Sequence, residues 1–454
     1  MSGAASIGLD LGAGKCCVAS VRAGAVTVLP NAHGDKTTPS FVAFTDSRSL
    51  VGSDARDQAA LNAENTFYGI KTVLGRSYKQ ESGAVSIESL ERLKLSNSES
   101  GKQGTQLRSL EKDPTVSPYL PVFSTTKDGL PVFEVKYRNI NAMLRPEEIA
   151  ALLIANMKSA AEDQLGCVTN AVISVPVNCS NAQRVATLDA ACIAGLESVT
   201  LVNSTTAAAI AYWNQRPRDD DCLAVVDFGA SSLNLAIVSI ENGTVKVQEA
   251  FGGSTVGGNF VDECLMQAVI KKFEDKHEQP FEKSPRALMN LRASMEKLKH
   301  NLTLCTSSDV QVDSMAHDID FSCSFSRADM EDSCKQQFEI FRNALRRLAQ
   351  SKSWATVRTV VLVGGSTRIP AVENLILETL GKPVDRTLDK DHAVACGAAL
   401  RAVRSCEVGE VLSRRIWFQI GSESAVVFDC GARVSDEGDF WGSETETLKL
   451  LNQQ

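Results

Sequence analysis

The sequence predicts a mixed α/β chain built as two related lobes, and three observations carry that reading. An apolar run ending in Asp, a Gly-rich turn and a second apolar run occur twice, at residues 7–14 and 225–232. Segments of helical period alternate with short, wholly apolar runs, as buried strands joined by amphipathic helices require. The composition is ordinary for a globular protein: of 454 residues 43% are apolar and 22% charged, with 30 Gly and 13 Pro. That is ample for a real core, arranged as two large lobes or about three modules at ~150 residues each.

Each repeat reads as strand, tight turn and strand. The first places Asp10 before Gly12 and Gly14; the second places Asp227 before Gly229, Ala230 and Ser231. Turn glycines let backbone N–H groups face an anion closely, and the Asp offers a carboxylate to a metal ion or its waters. One such hairpin alone is an ordinary turn. Two facing one another grip a polyphosphate. Residues 96–112 are rich in Ser, Gly, Gln and charge and read as a surface insertion. Pro146 near a start, then Ile149, Leu153, Met157, Ala160 and Leu165 at near-helical spacing before Gly166, predict an amphipathic helix over 146–165. A buried strand over 170–176 follows, then a second helical stretch through 183–187. In 285–303, Leu288, Leu291, Met295, Leu298 and Leu302 share one face, and Arg292, Glu296, Lys299, His300 and Thr303 the other. A polar face of this kind is usually solvated. After Arg404, residues 416–420 and 425–428 read as strands around a polar turn, in a tail too short for an independent domain.

Charge and composition exclude several classes. Lys and Arg number 47 against 55 Asp and Glu, a net charge of −8, with no basic run interleaved with aromatics. No direct nucleic-acid surface is expected. No apolar run reaches the ~18 residues of a membrane span, and residues 1–10 lack a charged-then-apolar leader. No membrane association is expected, and the expected setting is the cytosol. The 13 Cys are scattered without a CxxC pair, as free thiols in a reducing compartment are. The five His, His33, His277, His300, His317 and His392, lack metal-ligand spacing, so no zinc site is expected.

Six segments carry a resemblance to a known family. They are 7–18; 64–76 with Lys71; 175–184 with Pro176 and Arg184; 206–212, Thr-Ala-Ala-Ala-Ile-Ala-Tyr; 227–234; and 361–370, Val-Leu-Val-Gly-Gly-Ser-Thr-Arg-Ile-Pro. In that order they resemble the first phosphate loop, catalytic-lysine segment, proline switch, connecting helix, second phosphate loop and adenosine motif of the 70-kilodalton heat-shock protein family. The similarity covers roughly residues 6–404. It implies the two-lobed actin, hexokinase and heat-shock ATPase fold, with a duplicated ribonuclease-H-like core and a nucleotide cleft between lobes. Lobe I is expected at 1–217, lobe II at 218–404, and a short β-rich remnant at 405–454. A sugar kinase or actin-like filament shares the fold, but no sugar-site or polymer signature is present.

The resemblance also implies ATP or ADP as cofactor and assigns residues to it. Gly364, Gly365 and Ser366 stand beside the nucleotide at a strand-to-helix turn, with Arg368 flat on the base. Glu296, Lys299 and Thr303 match ribose and adenine contacts, and Asp391 an adenine-side acid. His300 replaces an Arg that stacks on adenine, which implies weaker contact through a flat ring without permanent charge. Gly12, Gly14, Lys15, Gly229, Ser231, Gly257 and Gly258 belong to the phosphate side. Lys71, Asp10 and Asp227 retain catalytic positions, the two Asp as weak magnesium ligands, with Ser232 in place of the loop threonine.

Hydrolysis is where the sequence departs from the family. The usual Asn-Glu-Pro is Asn203-Ser204-Thr205, removing a carboxylate. The usual Gly-Gly-Gly-Thr-Phe-Asp is Gly229-Ala230-Ser231-Ser232-Leu233-Asn234, turning a magnesium-side acid into an amide. Paired threonines of the first loop are Ala13 and Gly14, followed by Lys15, which either stands beside the phosphates as a point cation or points to solvent. Each lost phosphate donor costs ~3 kcal/mol of transition-state stabilisation, so slow or absent turnover is expected. Residues 406–415 lead to about forty more, so no peptide clamp or lid is expected, nor the acidic tail that co-chaperones read. The pattern resembles the atypical branch whose members pair with a J-domain protein at the ribosome and stimulate another heat-shock chaperone. The alternative is a slow, magnesium-dependent ATP hydrolase and chaperone in its own right.

Overall fold

The computed structural model describes residues 5–78, 124–126, 128–218, 221–254, 256–281, 284–316, 319–403, 408–411, 416–420, 423–428, 433–434 and 440–441. The insertion expected at 96–112 lies outside these residues. Among the described residues no helix is long and apolar enough to cross a membrane.

The repeat in the sequence is realised as two sheets of one topology. In the first, Ser198–Asn203, Val168–Val175 and Ala5–Asp10 are parallel neighbours, continued antiparallel by Lys15–Arg22 and Ala25–Val28. In the second, Val384–Asp385, Thr359–Val363 and Asp221–Phe228 are parallel neighbours, continued antiparallel by Leu233–Glu241 and Thr244–Gly253. The turns occupy the same place in each: Asp10 faces Cys17 across the first hairpin, and Asp227 faces Asn234 across the second. Asp221–Phe228 is buried along its whole length, which is why it reads as a continuous apolar run rather than an alternating one. This is the duplicated core of the actin, hexokinase and heat-shock ATPase fold.

Helices close each sheet into its own core. Around the first pack Ile7, Leu9, Phe67, Phe133, Ile149 and Leu153; around the second, Val226, Phe228, Leu291, Phe341 and Val360. The helix predicted over 146–165 forms as Pro146–Leu165, with Pro at its first turn and Gly166 at its C-cap. The stretch through 183–187 is Asn181–Ile193, begun by a reciprocal cap in which the Ser180 hydroxyl accepts from the Gln183 N–H and the Gln183 side chain accepts from the Ser180 N–H. Pro285–Leu304 starts at Ser284, whose Oγ accepts from the Ala287 N–H at 3.2 Å.

A third core lies between the sheets, built on the helices Ser204–Gln215 and Ala393–Val403. They cross where Gly397 meets Ala207: a Cβ on Gly397 would stand 1.7 Å from the Ala207 carbonyl oxygen. On the first strand, a Cβ on Gly8 would stand 2.0 Å from the Ala399 nitrogen. Small residues at both faces let one helix touch the first sheet and the connecting helix at once.

The tail adds one element that the sequence did not announce. Val408–Val411 runs parallel to Thr244–Gly253 as the next strand of the second sheet. Its Glu410 accepts from Asn203 Nδ2 at 2.8 Å and Thr206 Oγ1 at 2.6 Å, while Arg184 donates to Asn203 Oδ1 at 2.9 Å. The edge of the second sheet is thus tied to the end of the first. A four-residue strand containing Gly409 and Glu410 has too little apolar alternation to be seen beforehand. The two expected tail strands form Ile416–Ile420 and Glu423–Phe428, and they pair with each other. Gly397→Val is expected to lower the unfolding free energy by at least ~2 kcal/mol in urea denaturation, because no rotamer relieves a clash with backbone. Gly409→Ala, whose Cβ would meet only Lys246 Cγ at 3.9 Å, is expected to stay within ~0.5 kcal/mol of the parent.

Candidate functional site

Both Asp-bearing turns open into one cavity of about 520 Å³ lined from both sheets. Every residue that the resemblance assigned to a ligand or to catalysis lines it, with the exception of Gly257. Gly257 stands behind the lining, where a Cβ would meet the Ala230 carbonyl oxygen at 2.5 Å, so it shapes the second loop from outside.

At the floor, Asp10 accepts from Ser174 Oγ at 2.6 Å, which fixes one carboxylate oxygen of the first hairpin. Asp227 is 8% exposed and accepts at a single oxygen, Oδ2, from Ser204 Oγ at 2.6 Å and Asn234 Nδ2 at 3.0 Å. Burial pushes the Asp227 carboxyl above its usual range, the Ser204 hydrogen bond pulls against that, and the neighbouring Asp10 charge adds to the rise. The Lys71 ammonium, from the turn Ile70–Thr72, opposes it from across the cavity. Asn234 also donates to Ser232 Oγ at 3.3 Å, and its Oδ1 accepts from the Val177 N–H, so it knits the second turn to the residue after Pro176.

The loops close from both sides. A Cβ on Gly14 would come within 2.9 Å of the Ala230 Cβ, and one on Gly258 within 2.5 Å of Ser366 Oγ. Gly364 has φ +84°, and a Cβ there would press on the Phe228 carbonyl oxygen at 2.3 Å. Only glycine takes that turn without strain. A cradle that backbone can approach so closely fits a phosphorylated ligand. Ser366 Oγ donates to the Gly229 carbonyl at 2.9 Å, joining the adenosine-motif turn to the second loop.

The wall is the polar face of Pro285–Leu304, and the expectation that it is solvated does not hold in full. Arg292 and Lys299 are each 8% exposed. Lys299 Nζ donates to Asp262 Oδ2 at 2.7 Å and to the Gly258 carbonyl at 3.2 Å. Burial would raise Glu296, but the permanent cations around it, Lys299 first, then Arg292 and Lys15, hold its carboxyl below the usual range. Burial, then Lys299, pushes the His300 imidazole down, so it is a neutral ring at neutral pH. Thr303 donates to the Lys299 carbonyl of its own helix. Lys15 is exposed at the cavity, and its charge reaches Glu296 and His300. At the rim, Arg368 donates to Asp391 Oδ1 at 3.0 Å, a half-exposed ion pair that presents the guanidinium edge-held beside the opening.

Three residues escaped the sequence reading in these roles. Asp262 carried no signal beyond the need of a buried Lys299 for a partner. Ser204 stood out only as a missing acid, yet it is a donor to Asp227. Arg292 looked like one more residue of a solvated face. Cys16 and Cys17 line the cavity, but burial pushes the Cys16 thiol up to about 11 and Cys17 higher still, so both are packing thiols rather than reactive ones.

For a divalent ion the donor set is lean. Asp10 Oδ2 and Asp227 Oδ1 carry no hydrogen bond among the described residues, while the other oxygen of each is taken by a protein donor. No group of three His, Cys, Asp or Glu side chains that could hold a metal occurs among the described residues. Two carboxylate oxygens fit a magnesium ion that keeps most of its waters.

A family model described as Hsp70 protein matches residues 6–121 and 108–413. The heat shock 70 kDa protein of Emericella nidulans is 32% identical over 405 residues, covering 88% of this chain and 58% of the relative. The heat shock 70 kDa protein of Neurospora crassa is 33% identical over 407 residues, with 88% and 58% covered. A ribosome-associated molecular chaperone of Saccharomyces cerevisiae is 34% identical over 404 residues, with 87% and 60% covered. The chain thus spans somewhat over half the length of the curated relatives it matches.

The buried pair in the cavity wall has a measurable consequence. Lys299→Met leaves Asp262, buried and already without a partner at Oδ1, as an uncompensated carboxylate. It is expected to destabilise the protein by about 3–5 kcal/mol in urea unfolding, and Asp262→Asn in the same background is expected to recover a large part of that loss.

Proposed function

This chain belongs to the Hsp70 family, and on that premise we propose that it binds ATP or ADP in the cavity between the sheets with weak or no hydrolysis. Its role on this reading is that of a co-chaperone scaffold, paired with a J-domain protein at the ribosome and assisting a separate heat-shock chaperone in protein folding. Lobe I is 1–217 and lobe II is 218–404. The setting is cytosolic.

The observation that carries the reading is the pair of donors on Asp227. Where the family resemblance puts two acids, this chain has Ser204 and Asn234, and both donate to the same Asp227 oxygen. An acid at either position would offer oxygen to a metal; a hydroxyl and an amide N–H consume an oxygen instead. Asp10 and Asp227 remain to hold magnesium, which when bound supplies positive charge to the phosphate oxygens. With Ala230 and Ser231 in the second loop, two Cβ groups stand where glycine would let the backbone come closest to a phosphate, and each donor held off the transferring phosphoryl group in this way removes ~3 kcal/mol of preorganised stabilisation. The adenosine side is less altered, with His300 in place of an Arg: Glu296, Lys299, His300, Thr303, Gly364, Gly365, Ser366, Arg368 and Asp391 line one wall and rim. Binding energy is retained on the half of the cavity that does no chemistry.

The ribosome side of the reading is supported by the relatives named as ribosome-associated chaperones, and the J-domain side by the resemblance to the atypical branch. A second reading, a slow magnesium-dependent ATP hydrolase, is favoured by one arrangement: Lys71, Asp10, Asp227 and Ser232 line the same end of the cavity.

Product analysis of the purified protein after incubation with labelled ATP and magnesium separates the two. Bound but intact ATP is expected, and steady ADP above the buffer control would establish the hydrolase. Lys15→Ala is expected to weaken ATP binding about fivefold in the absence of magnesium, the ~1 kcal/mol of one exposed charge pair. Affinity unchanged at every magnesium concentration would show that Lys15 serves solvent. A pull-down from ribosome-containing lysate is expected to recover a J-domain protein with ribosomal components, and recovery of neither would refute the scaffold role.

A further inference from the structure

Behind the cavity wall two thiols meet that neither binding nor turnover of a nucleotide uses. Cys264 lies in the second turn of the helix Gly258–His277, and Cys334 is the single residue between the helices Arg327–Ser333 and Lys335–Ala349. Cys334 is fully buried in the core of the second sheet, and the half-buried Cys264 packs against that core. The backbone of Cys334 is fixed on both sides: its N–H donates to the Met330 carbonyl and its carbonyl accepts from the Phe338 N–H, each at 3.0 Å. Its side chain is aimed at the long helix, with Sγ 4.0 Å from the Val261 carbonyl oxygen. Cys264 is three residues on from Val261 and so shares that face. There the two thiols are hydrogen-bonded to each other, with Cys334 as the donor.

The two sulfurs are chemically unlike. The hydrogen bond from Cys334 pulls the Cys264 thiol below its ordinary value against its partial burial, while the same bond, then burial, pushes Cys334 up. Thiolate character therefore falls on the half-exposed partner, where a small oxidant reaches it, and the buried partner keeps the proton. Other thiols are held the opposite way: burial pushes Cys16, Cys17, Cys222, Cys323 and Cys396 upward. Asp262, which holds Lys299 in the cavity wall, stands two residues before Cys264. The Asp262 charge disfavours a thiolate at Cys334, and the Lys299 charge favours one.

We propose that Cys264 and Cys334 form a peroxide-reactive dithiol in which Cys264 is the attacking sulfur and Cys334 the resolving one, and whose disulfide locks the helix Gly258–His277 to the joint at Cys334. The Cys264 thiolate attacks one oxygen of hydrogen peroxide; the O–O bond breaks, a sulfenic acid forms on Cys264, and the departing hydroxide takes a proton from solvent to become water. The sulfenic acid is neutral, so the negative charge that opposed ionisation of Cys334 is gone, and Cys334 gives up its proton beside Lys299. Its sulfur then attacks the Cys264 sulfur, the S–O bond breaks, and the second hydroxide leaves as water with that proton. Two thiols lose two electrons, and one peroxide becomes two waters. Contraction of a thiol contact to the ~2.05 Å of an S–S bond draws the joint onto the helix directly behind Asp262. Nothing in this chemistry needs a ligand in the cavity, so the pair stands or falls apart from the nucleotide reading.

The test is a peptide map of the full chain without reduction. Trypsin releases Cys264 in 247–271 and Cys334 in 328–335, each the one cysteine of its fragment. After brief exposure to hydrogen peroxide and blocking of the remaining thiols, a covalent pair of these two fragments is expected from most of the protein and is lost on addition of dithiothreitol. The exposed Cys167, Cys192 and Cys305 are expected to react at least about tenfold more slowly, having no partner that favours the thiolate. Cys334→Ala is expected to leave Cys264 as a sulfenic acid that dimedone captures, formed about fivefold more slowly than in the parent because the hydrogen bond to the thiolate is gone. Cys334→Ser keeps a donor without a sulfur, and is expected to recover the parental rate at Cys264 while forming no linked fragments. The oxidised parent is expected to unfold at higher urea than the reduced one, since the bond closes a loop of about 70 residues, and Cys264→Ser is expected to show no such shift.

Absence of the linked fragments at a peroxide dose that oxidises the exposed cysteines would overturn the proposal. So would equal rates of Cys264 oxidation in the parent and in Cys334→Ala, which would make the buried thiol a packing residue alone. Unfolding midpoints of the reduced variants, measured alongside, show whether a changed rate reflects the pair or a loss of fold.

Discussion

A buried carboxylate at the floor of a cleft needs partners, and in this protein one oxygen of Asp227 finds two of them in its own chain. Burial disfavours its charge, Asp10 across the cleft disfavours it further, and the hydrogen bonds from Ser204 and Asn234 oppose both. Those two donors sit at structurally demanding places. Ser204 opens the helix Ser204–Gln215, which crosses the Ala393–Val403 helix at Gly397 and so sets the relation of the two sheets. Asn234 is the residue paired with Asp227 across the second hairpin and is bonded onward to the Val177 N–H. One oxygen of Asp227 is therefore held by the chain itself, and on the proposed reading the two residues that hold it stand where the family resemblance puts acids.

The opposite wall follows a different rule. Pro285–Leu304 has a strict apolar stripe, and its other face lies over a cavity rather than in bulk water. Buried Lys299 is held by Asp262, buried Arg292 by a ring, and Glu296 is kept ionised by the cations around it. A face of this kind carries its charges in a low-dielectric setting, where each contact to a ligand is stronger than it would be in water and each missing partner is more expensive. The protein has kept this binding wall while altering the end of the cavity where phosphoryl transfer would occur. On the proposed reading, a kept binding wall beside an altered phosphate end makes this a site used for occupancy rather than turnover.

Much of this was legible in the residues. The duplicated Asp-Gly turns foretold two sheets of one topology, because a buried central strand, a tight turn and a partner strand leave a pattern that no helix mimics. The helices over 146–165 and 285–303 were legible from period and caps. What escaped depended on distance in space. Nothing in the run of residues around Ser204 says that its hydroxyl meets Asp227, since the loss of an acid and the gain of a donor are the same letter. Arg292 shares the periodicity of exposed arginines, and only the approach of Tyr68 from the first lobe makes it a buried cation. Val408–Val411 was too short and too polar to read as a strand; it is one because Thr244–Gly253 presents an open edge and Glu410 finds Asn203 and Thr206.

The claim on which the account turns is that Ser204 and Asn234 have taken over the task of the lost acids. Titration calorimetry of ATP, with magnesium and with a chelator in its place, tests it on the parent and on Ser204→Glu/Asn234→Asp. The account predicts parental affinities that agree within about threefold in the two conditions, and a double variant whose binding tightens about tenfold or more when magnesium is present. A parent that tightens with magnesium as strongly as the double variant would contradict it.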